Sequence, residues 1–450
     1  MTSSCYPVQA CANGSQDRGG AEYAWIVNFN NGNSNNDNRD NHNRVRAVRG
    51  PSREFQGAQE AQVTLRDLHI AWRKARRQKV PSANQLDFDT AWIDRMLELQ
   101  EELNSGTWSP RPTTCFVATR PKAREIHAPD FGDRVVHHWL VPQLEAIYEP
   151  VFIFDSYANR KGKGSHAAVR RLQQFVRQVH SGQGGGWYLQ LDVANFFNRI
   201  PRRTLYDLLK ARMERAGAPL AVRQVVHALL RRSPMDAGVR YRCTPADRAL
   251  VPAHKRLENA PPGRGIPIGN LSSQFFSNVV LNELDQFVKH TLRAERYLRY
   301  VDDFVLVHRD RDQLGRWKVE IERFLADRLG LALKDDVRLR RLTTGIDFLG
   351  YIVRPTHTIV RRRVVAHARE ALAAWERRHV TSRGLRGTPE DFRLARSVWA
   401  SYQGHFTHAN SQRLGAQLQA RFTWLASATR PRRFHHALEG RHITIRSSTP

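Results

Sequence analysis

RYVDDFVLV, residues 299–307, sets two aspartates, Asp302 and Asp303, between apolar residues on both sides. Charged side chains seldom lie inside apolar strands unless they are paired or bound to a cation. The pattern predicts two short apolar runs broken at the aspartates. In an extended chain the two carboxylates point to opposite faces, and a hairpin turn there brings both near one site. Taken alone, the pair also reads as a hairpin with a solvated tip. A second apolar strand, WYLQLDV at 187–193, carries Asp192 and runs on into ANFF. Three carboxylates so placed can hold two Mg2+ about 3.5–4 Å apart, the arrangement that serves phosphoryl transfer.

Outward from these strands, the block from Trp187 to Tyr351 alternates short apolar strands with helices. PRRTLYDLLKARMERAG (201–217) and SSQFFSNVVLNELDQFVKHTL (272–292) read as helices. Upstream, residues 65–79 and 89–103 repeat apolar residues at helical spacing, and Asn104-Ser105-Gly106 stops the second run. TTCFVATRPKAREIHAP (113–129) predicts a strand pair with a Pro-Lys turn. Residues 131–152 and 166–180 read as helices, separated by the Gly/Lys-rich loop NRKGKGSH (159–166). After residue 360 the chain reads as mainly helical and very basic.

The 450 residues carry 71 Lys+Arg against 43 Asp+Glu, a net charge of +28. That balance favours a polyanionic partner, nucleic acid first, although a basic protein from an Arg-rich, high-GC genome would look the same. Cys5, Cys11, Cys115 and Cys243 are scattered without metal-ligand spacing, which argues against disulfides and against a zinc site. Neither a long apolar run nor a secretory signal is legible, so the expectation is no membrane span and a cytoplasmic protein. Residues 1–60 differ in texture: nine of the sixteen residues from Asn28 to Asn43 are Asn. Such a segment is expected to be disordered when isolated.

RYVDDFVLV resembles the YxDD motif of reverse transcriptases, and LDVANFFNRIP (191–201) resembles their first catalytic-aspartate motif. GRGIPIGNLSSQFFSNVVLNELDQF (263–287) resembles the motif that contacts the incoming nucleotide and template. RPKAREIHAPDFGDRVVHHWL (120–140) and SYANRKGKGSHAAV (156–169) look like fingers motifs; LGLALKDDVRL (329–339) and GIDFLGYIV (345–353) look like the palm motifs after YxDD. The resemblance runs from about residue 63 to 353. It implies an α+β right-hand polymerase fold: leader 1–60, fingers 61–186, a palm at 187–355 built on an antiparallel sheet flanked by helices, and a basic helical thumb and tail at 356–450. It also implies RNA-directed DNA polymerisation with Mg2+ (Mn2+ as the alternative) on an RNA template, a DNA or RNA primer and deoxynucleotide triphosphates.

Roles carried over with the resemblance follow residue by residue. Asp192, Asp302 and Asp303 match the metal ligands, with the Val193 carbonyl as a further one. Phe197, five residues after Asp192, matches an aromatic gate beneath the sugar, with Phe196 its rival. Lys122 and Arg124 match a triphosphate clamp, or are two surface cations on a hairpin. Gly269 lets backbone approach the base pair, Gln274 lies near the template, and Lys334 matches a lysine that protonates pyrophosphate. Arg160, Lys161 and Lys163 lie in a loop suited to template phosphates, or simply solvated.

Where many relatives carry Ser-Pro, this chain has Ser273-Gln274 in IGNLSSQ, which resembles reverse transcriptases of diversity-generating retroelements. Those enzymes copy a template repeat with errors at adenines. The Asn-rich leader fits that reading as translated, adenine-rich template repeat; the rival is a disordered basic arm. A retron, group II intron-derived or phage-defence reverse transcriptase, and a non-enzymatic RNA-binding maturase-like protein, are the alternatives. An accessory protein of the retroelement is a further implied partner.

Overall fold

The computed structural model describes residues 62–77, 80–119, 122–181, 185–429 and 443–445. The leader at 1–60, with the template-repeat reading placed on it, lies outside the described residues. Two compact units emerge. The first takes in the chain up to Ser165, Leu189–Leu306 and Gly315–Arg338; the second takes in His166–Tyr188, Val307–Leu314 and the chain from Leu339. These cuts fall elsewhere than at residues 186 and 355.

In the first unit, α1 (Leu65–Arg76) begins at a capping box in which Thr64 and Asp67 satisfy each other's backbone N–H groups. α2 (Ala83–Thr90) and α3 (Trp92–Ser105) replace the single helix expected over 89–103. The break falls at Ala91, with φ −127° and ψ 41°. Around it, Asp89 accepts from Trp72 Nε1 at 3.0 Å and the Trp72 and Trp92 rings stack at 5.3 Å. Packing against α1 therefore sets the break, and no local breaker residue does. Gly106, at φ 72°, ends α3 where the sequence predicts a stop.

β1 (Thr113–Ala118) and β2 (Arg124–Ala128) form the expected antiparallel hairpin. α4 (Phe131–Tyr148) accommodates Pro142 and stops short of the expected residue 152. α5 (Ser165–His180) belongs almost wholly to the second unit. β3 (Trp187–Asp192) leads through the single turn α6 (Phe196–Arg199) to α7 (Arg202–Arg215) and α8 (Leu220–Arg231). β4 (Val239–Tyr241) pairs in parallel with the free edge of β1. α9 (Pro245–Ala249) precedes α10 (Leu271–Gln286), whose residues are mostly buried on every face, as a central helix requires. β5 (Tyr297–Tyr300) and β6 (Asp303–His308) form an antiparallel hairpin, and β6 lies between β5 and β3. α11 (Arg311–Leu329) follows. The two apolar runs read from RYVDDFVLV are thus paired strands, and the aspartates sit at their turn.

The second unit is largely helical after residue 360, as the sequence predicts, with helices Arg362–His379, Pro389–Phe406 and Gln412–Arg421. Strands Ile346–Phe348, Tyr351–Val353 and Thr358–Val360 form an antiparallel meander. Trp375 stacks on Trp424 at 4.2 Å within its core. Among the described residues no helix is long and apolar enough to cross a membrane.

Candidate active site

Three segments bring the carboxylates together. β3 carries Asp192 at its end, and the two-residue turn Val301–Asp302 joins β5 to β6. The Val193 N–H donates to the Asp302 carbonyl at 3.3 Å, which ties the two strand ends. The chain after α11 closes the third side: Ala194 N–H donates to Ala332 O at 2.8 Å, and Lys334 N–H donates to Asp192 O at 2.8 Å.

Asp192 and Asp302 sit close enough for their carboxyl groups to share a hydrogen bond. Burial, then the Asp192 charge, push Asp302 up to about 7, against the opposing pull of Lys334. Burial also pushes Asp303 up to about 7, although the Gln190 amide hydrogen bond opposes it. Asp303 faces Gln190, whose Nε2 donates to its two oxygens at 3.0 and 3.3 Å. The structure therefore pairs Asp192 with Asp302 and turns Asp303 toward Gln190. Lys334 Nζ forms an ion pair with Asp192 Oδ2.

Asp192 Oδ1 is buried and has no hydrogen-bond partner. That orphaned oxygen, beside carboxyls pushed up by burial and then by the neighbouring Asp192 charge, fits a divalent cation. Carboxylate oxygens suit hard ions such as Mg2+ or Mn2+. Asp192 and Asp302 would hold it, with Asp303 and the Val193 backbone adjoining.

Beneath the turn lies a network that the sequence reading passed over. Arg299 is 0% exposed and bidentate to Asp285, at 2.8 and 2.6 Å. Its guanidinium also donates to Asn278 Oδ1 (3.2 Å), Ser156 Oγ (3.2 Å) and the Val301 carbonyl (2.9 Å). Tyr297 donates to Asp285 at 2.7 Å. This network holds Val301 at φ +55°, a region costly for a β-branched residue. The available signal was a charged residue inside an apolar strand, the same signal that singled out the aspartates. Gln190 had a signal as well, being polar and two residues before Asp192 on the same strand face.

The remaining expected residues are placed unevenly. Phe196 is buried at 2% exposure, whereas Phe197 is half-buried. Lys122 and Arg124 are exposed around the β1–β2 turn. Gly269 has φ +128°, and a Cβ there would lie 2.7 Å from His127 O, so the β2 backbone requires the glycine. Gln274 is half-buried in the first turn of α10. Arg160, expected on template phosphates, is buried and committed inside its own loop. It pairs with Glu149 at 2.8 Å and donates to Ile153 O at 2.7 Å and Ser156 O at 2.9 Å. Lys163 Nζ donates to Phe154 O at 2.9 Å and lies 3.4 Å over the Phe154 ring, while Lys161 is exposed.

Comparison with known proteins gives a matching family over most of this core. Residues 69–353 match the family described as reverse transcriptase (RNA-dependent DNA polymerase). Protein YkfC of Escherichia coli (strain K12) is 23% identical over 300 residues, covering 59% of this chain and 71% of that protein. The group II intron-encoded protein LtrA of Lactococcus lactis subsp. cremoris is 24% identical over 198 residues, 43% of this chain and 28% of its own length. An apo telomerase structure from Candida tropicalis aligns at 11% identity with a TM-score of 0.41, over 65% of this chain and 52% of that one, too slight a likeness to argue from.

Proposed function

Because the chain belongs to the reverse transcriptase (RNA-dependent DNA polymerase) family, we propose that it makes cDNA for a diversity-generating retroelement, with errors at template adenines. The family assigns RNA-directed DNA polymerisation, a nucleotidyl transfer that uses a nucleic-acid template, a primer and nucleotides. The observation that carries the catalytic reading is the Asp192–Asp302 pair, set beside the orphaned Asp192 Oδ1.

Two Mg2+ ions, when bound, lower the pKa of the primer 3′-hydroxyl and neutralise the leaving pyrophosphate. Asp192 and Asp302 would hold them, and Gln190 fixes the orientation of Asp303. Lys334, already at Asp192, is in reach to donate a proton to pyrophosphate. Phe197 excludes a 2′-hydroxyl from beneath the sugar; its half-exposed ring supports this choice over the buried Phe196. Lys122 and Arg124 hold the triphosphate, a role their exposure permits. Lys161 contacts template phosphates, and an accessory protein assists synthesis.

Primer extension on an RNA template tests the polymerase. Asp302→Ala is expected to abolish extension with its folding intact. Extension by that variant at the wild-type rate would remove the aspartate site from the mechanism.

Ser273-Gln274 and the Asn-rich leader support the retroelement reading. Gln274, contacting template and incoming base less restrictively, weakens discrimination opposite adenine. Sequencing cDNA from wild type and Gln274→Pro checks this: errors opposite template adenine are expected to fall in the variant. Unchanged errors would take Gln274 out of the account. The likeness to the L. lactis intron-encoded protein favours a second reading, an intron-derived reverse transcriptase. Flanking DNA discriminates: a near-duplicate of the DNA encoding residues 21–50, differing mainly at adenines, belongs to the first reading alone.

A further inference from the structure

The hairpin β1–β2 holds a cluster remote in chemistry from the aspartates. Its register sets Cys115 directly opposite His127 and Val117 opposite Glu125. Strand alternation puts Glu125 and His127 on one face, with Cys115 beside them. One ligand atom from each of the three lies within 4.8 Å of the others. All three side chains are deeply buried: Cys115 is 0%, Glu125 5% and His127 2% exposed.

A second observation points into the cluster. His127 Nε2 is buried without a hydrogen-bond partner, 3.7 Å from Glu125 Oε2. Its other ring nitrogen lies 3.5 Å from Thr113 Oγ1, which orients the ring as outer partners orient metal-bound histidines. Glu125 is fixed too: Leu257 N–H donates to Oε2 at 3.0 Å and Arg248 Nε to Oε1 at 3.4 Å. The Arg248 charge is shared with Glu258, so it does not by itself repel a cation from Glu125. A buried Glu125–His127 ion pair would account for two of these groups but not for the thiol packed against both.

A further thiol follows β4, next to Cys115 but outside the three-residue group. Tyr241 pairs with Cys115, and Arg242 N–H donates to Cys115 O at 2.7 Å. Cys243, half-buried, follows two residues after Tyr241 with its thiol in hydrogen-bonding range of Cys115. Both thiols are free.

We infer that Cys115, Glu125 and His127, completed by Cys243, form a structural site for a divalent transition-metal cation of the zinc type. Thiolate and imidazole donors select such a metal over Mg2+, which the carboxylates of the aspartate site suit. The site would staple β1, β2 and β4 behind the Gly269 turn, to which His127 is already joined: its N–H donates to Ile268 O at 2.7 Å. Cysteine spacing along the chain does not reveal this cluster, because strand register, and no short Cys-x-x-Cys repeat, gathers its residues.

The test is metal content and Co2+ spectroscopy on the full chain, stripped with chelator and reloaded. Wild type is expected to bind one Co2+ with a near-ultraviolet thiolate-to-cobalt band, displaced by Zn2+. Cys115→Ser and Cys243→Ser are each expected to lose part of that band, and the double variant to lose all of it. The Cys5→Ser/Cys11→Ser double variant and Asp302→Ala should keep both band and affinity. Absence of the band in wild type, or its persistence at full intensity in Cys115→Ser, overturns the site. Should Cys115→Ser fail to fold, His127→Gln decides the question by affinity: weaker Co2+ binding supports the site, and unchanged binding overturns it. Polymerase activity does not enter the readout, so failure here leaves the catalytic reading standing.

Discussion

Arg299 sits three residues before Asp302, yet it belongs to the interior. Its bidentate pairing with Asp285 removes both from water, and removing one partner strands the other as a buried charge. Arg299→Leu is expected to cost about 3–5 kcal/mol in denaturant unfolding. The Arg299→Leu/Asp285→Leu double variant should lose less than the sum of the singles, because it leaves no unpaired charge. Additive losses would mean that the pair contributes nothing as a pair. At this scale the sequence was legible for isolated charges in apolar runs, and it named the three aspartates on that ground. It did not separate a carboxylate that awaits a cation from a guanidinium that has its carboxylate already. That distinction depends on Asp285, Asn278 and Ser156, up to 143 residues away. Arg160 was misread for the same reason: a Gly/Lys-rich loop looks solvated until Glu149 is seen beside it.

Elements were read well where alternation or amphipathicity is local. β1 and β2 follow period-2 alternation, β3, β5 and β6 follow short continuous apolar runs, and α3 stops at Gly106 as its residues predict. The gap between α2 and α3 was missed because Ala91 is a strong helix former, and tertiary contacts of Trp72 override it. β2 also constrains the loop before α10. Gly269→Ala would need φ +128° and a Cβ 2.7 Å from His127 O. The expected result is a loss of about 1–3 kcal/mol in stability and slower primer extension, as the loop withdraws from β2. Gly263, with nothing within 4 Å of its would-be Cβ but φ +73°, is the control. Alanine there pays for the backbone without the clash, so equal losses at both positions would discount the β2 contact.

At the scale of the whole molecule, a buried histidine contributes to the response to acid. His137 is 2% exposed, and its Nδ1 has no partner. Burial, reinforced by the Arg134 charge, pushes it down from 6.5 to about 4. A histidine depressed by folding takes up its proton more readily when unfolded. Its contribution is therefore fully present above pH 6.5 and is lost as pH falls toward 4. Midway through that window the slope comes closest to its limit of about 1.4 kcal/mol per pH unit for this one group. Between pH 7.5 and 4.5 the unfolding midpoint of wild type should drop relative to that of His137→Leu, since Asp302 and Asp303, pushed up to about 7, act in the opposite direction in both proteins. Parallel curves for the two proteins would assign the acid sensitivity elsewhere. The net charge of +28 has a separate consequence: nucleic-acid binding should weaken steeply with salt, as a slope of log K against log salt would show.

The buried arginine under the catalytic turn also carries a message about chain order. Ser156, Asn278, Asp285 and Tyr297 all precede Arg299 in the sequence, and only Val301 follows it. A ribosome therefore releases these partners first, and Asp285 emerges fourteen residues before the guanidinium. The hairpin that bears Asp302 cannot settle before that arrival.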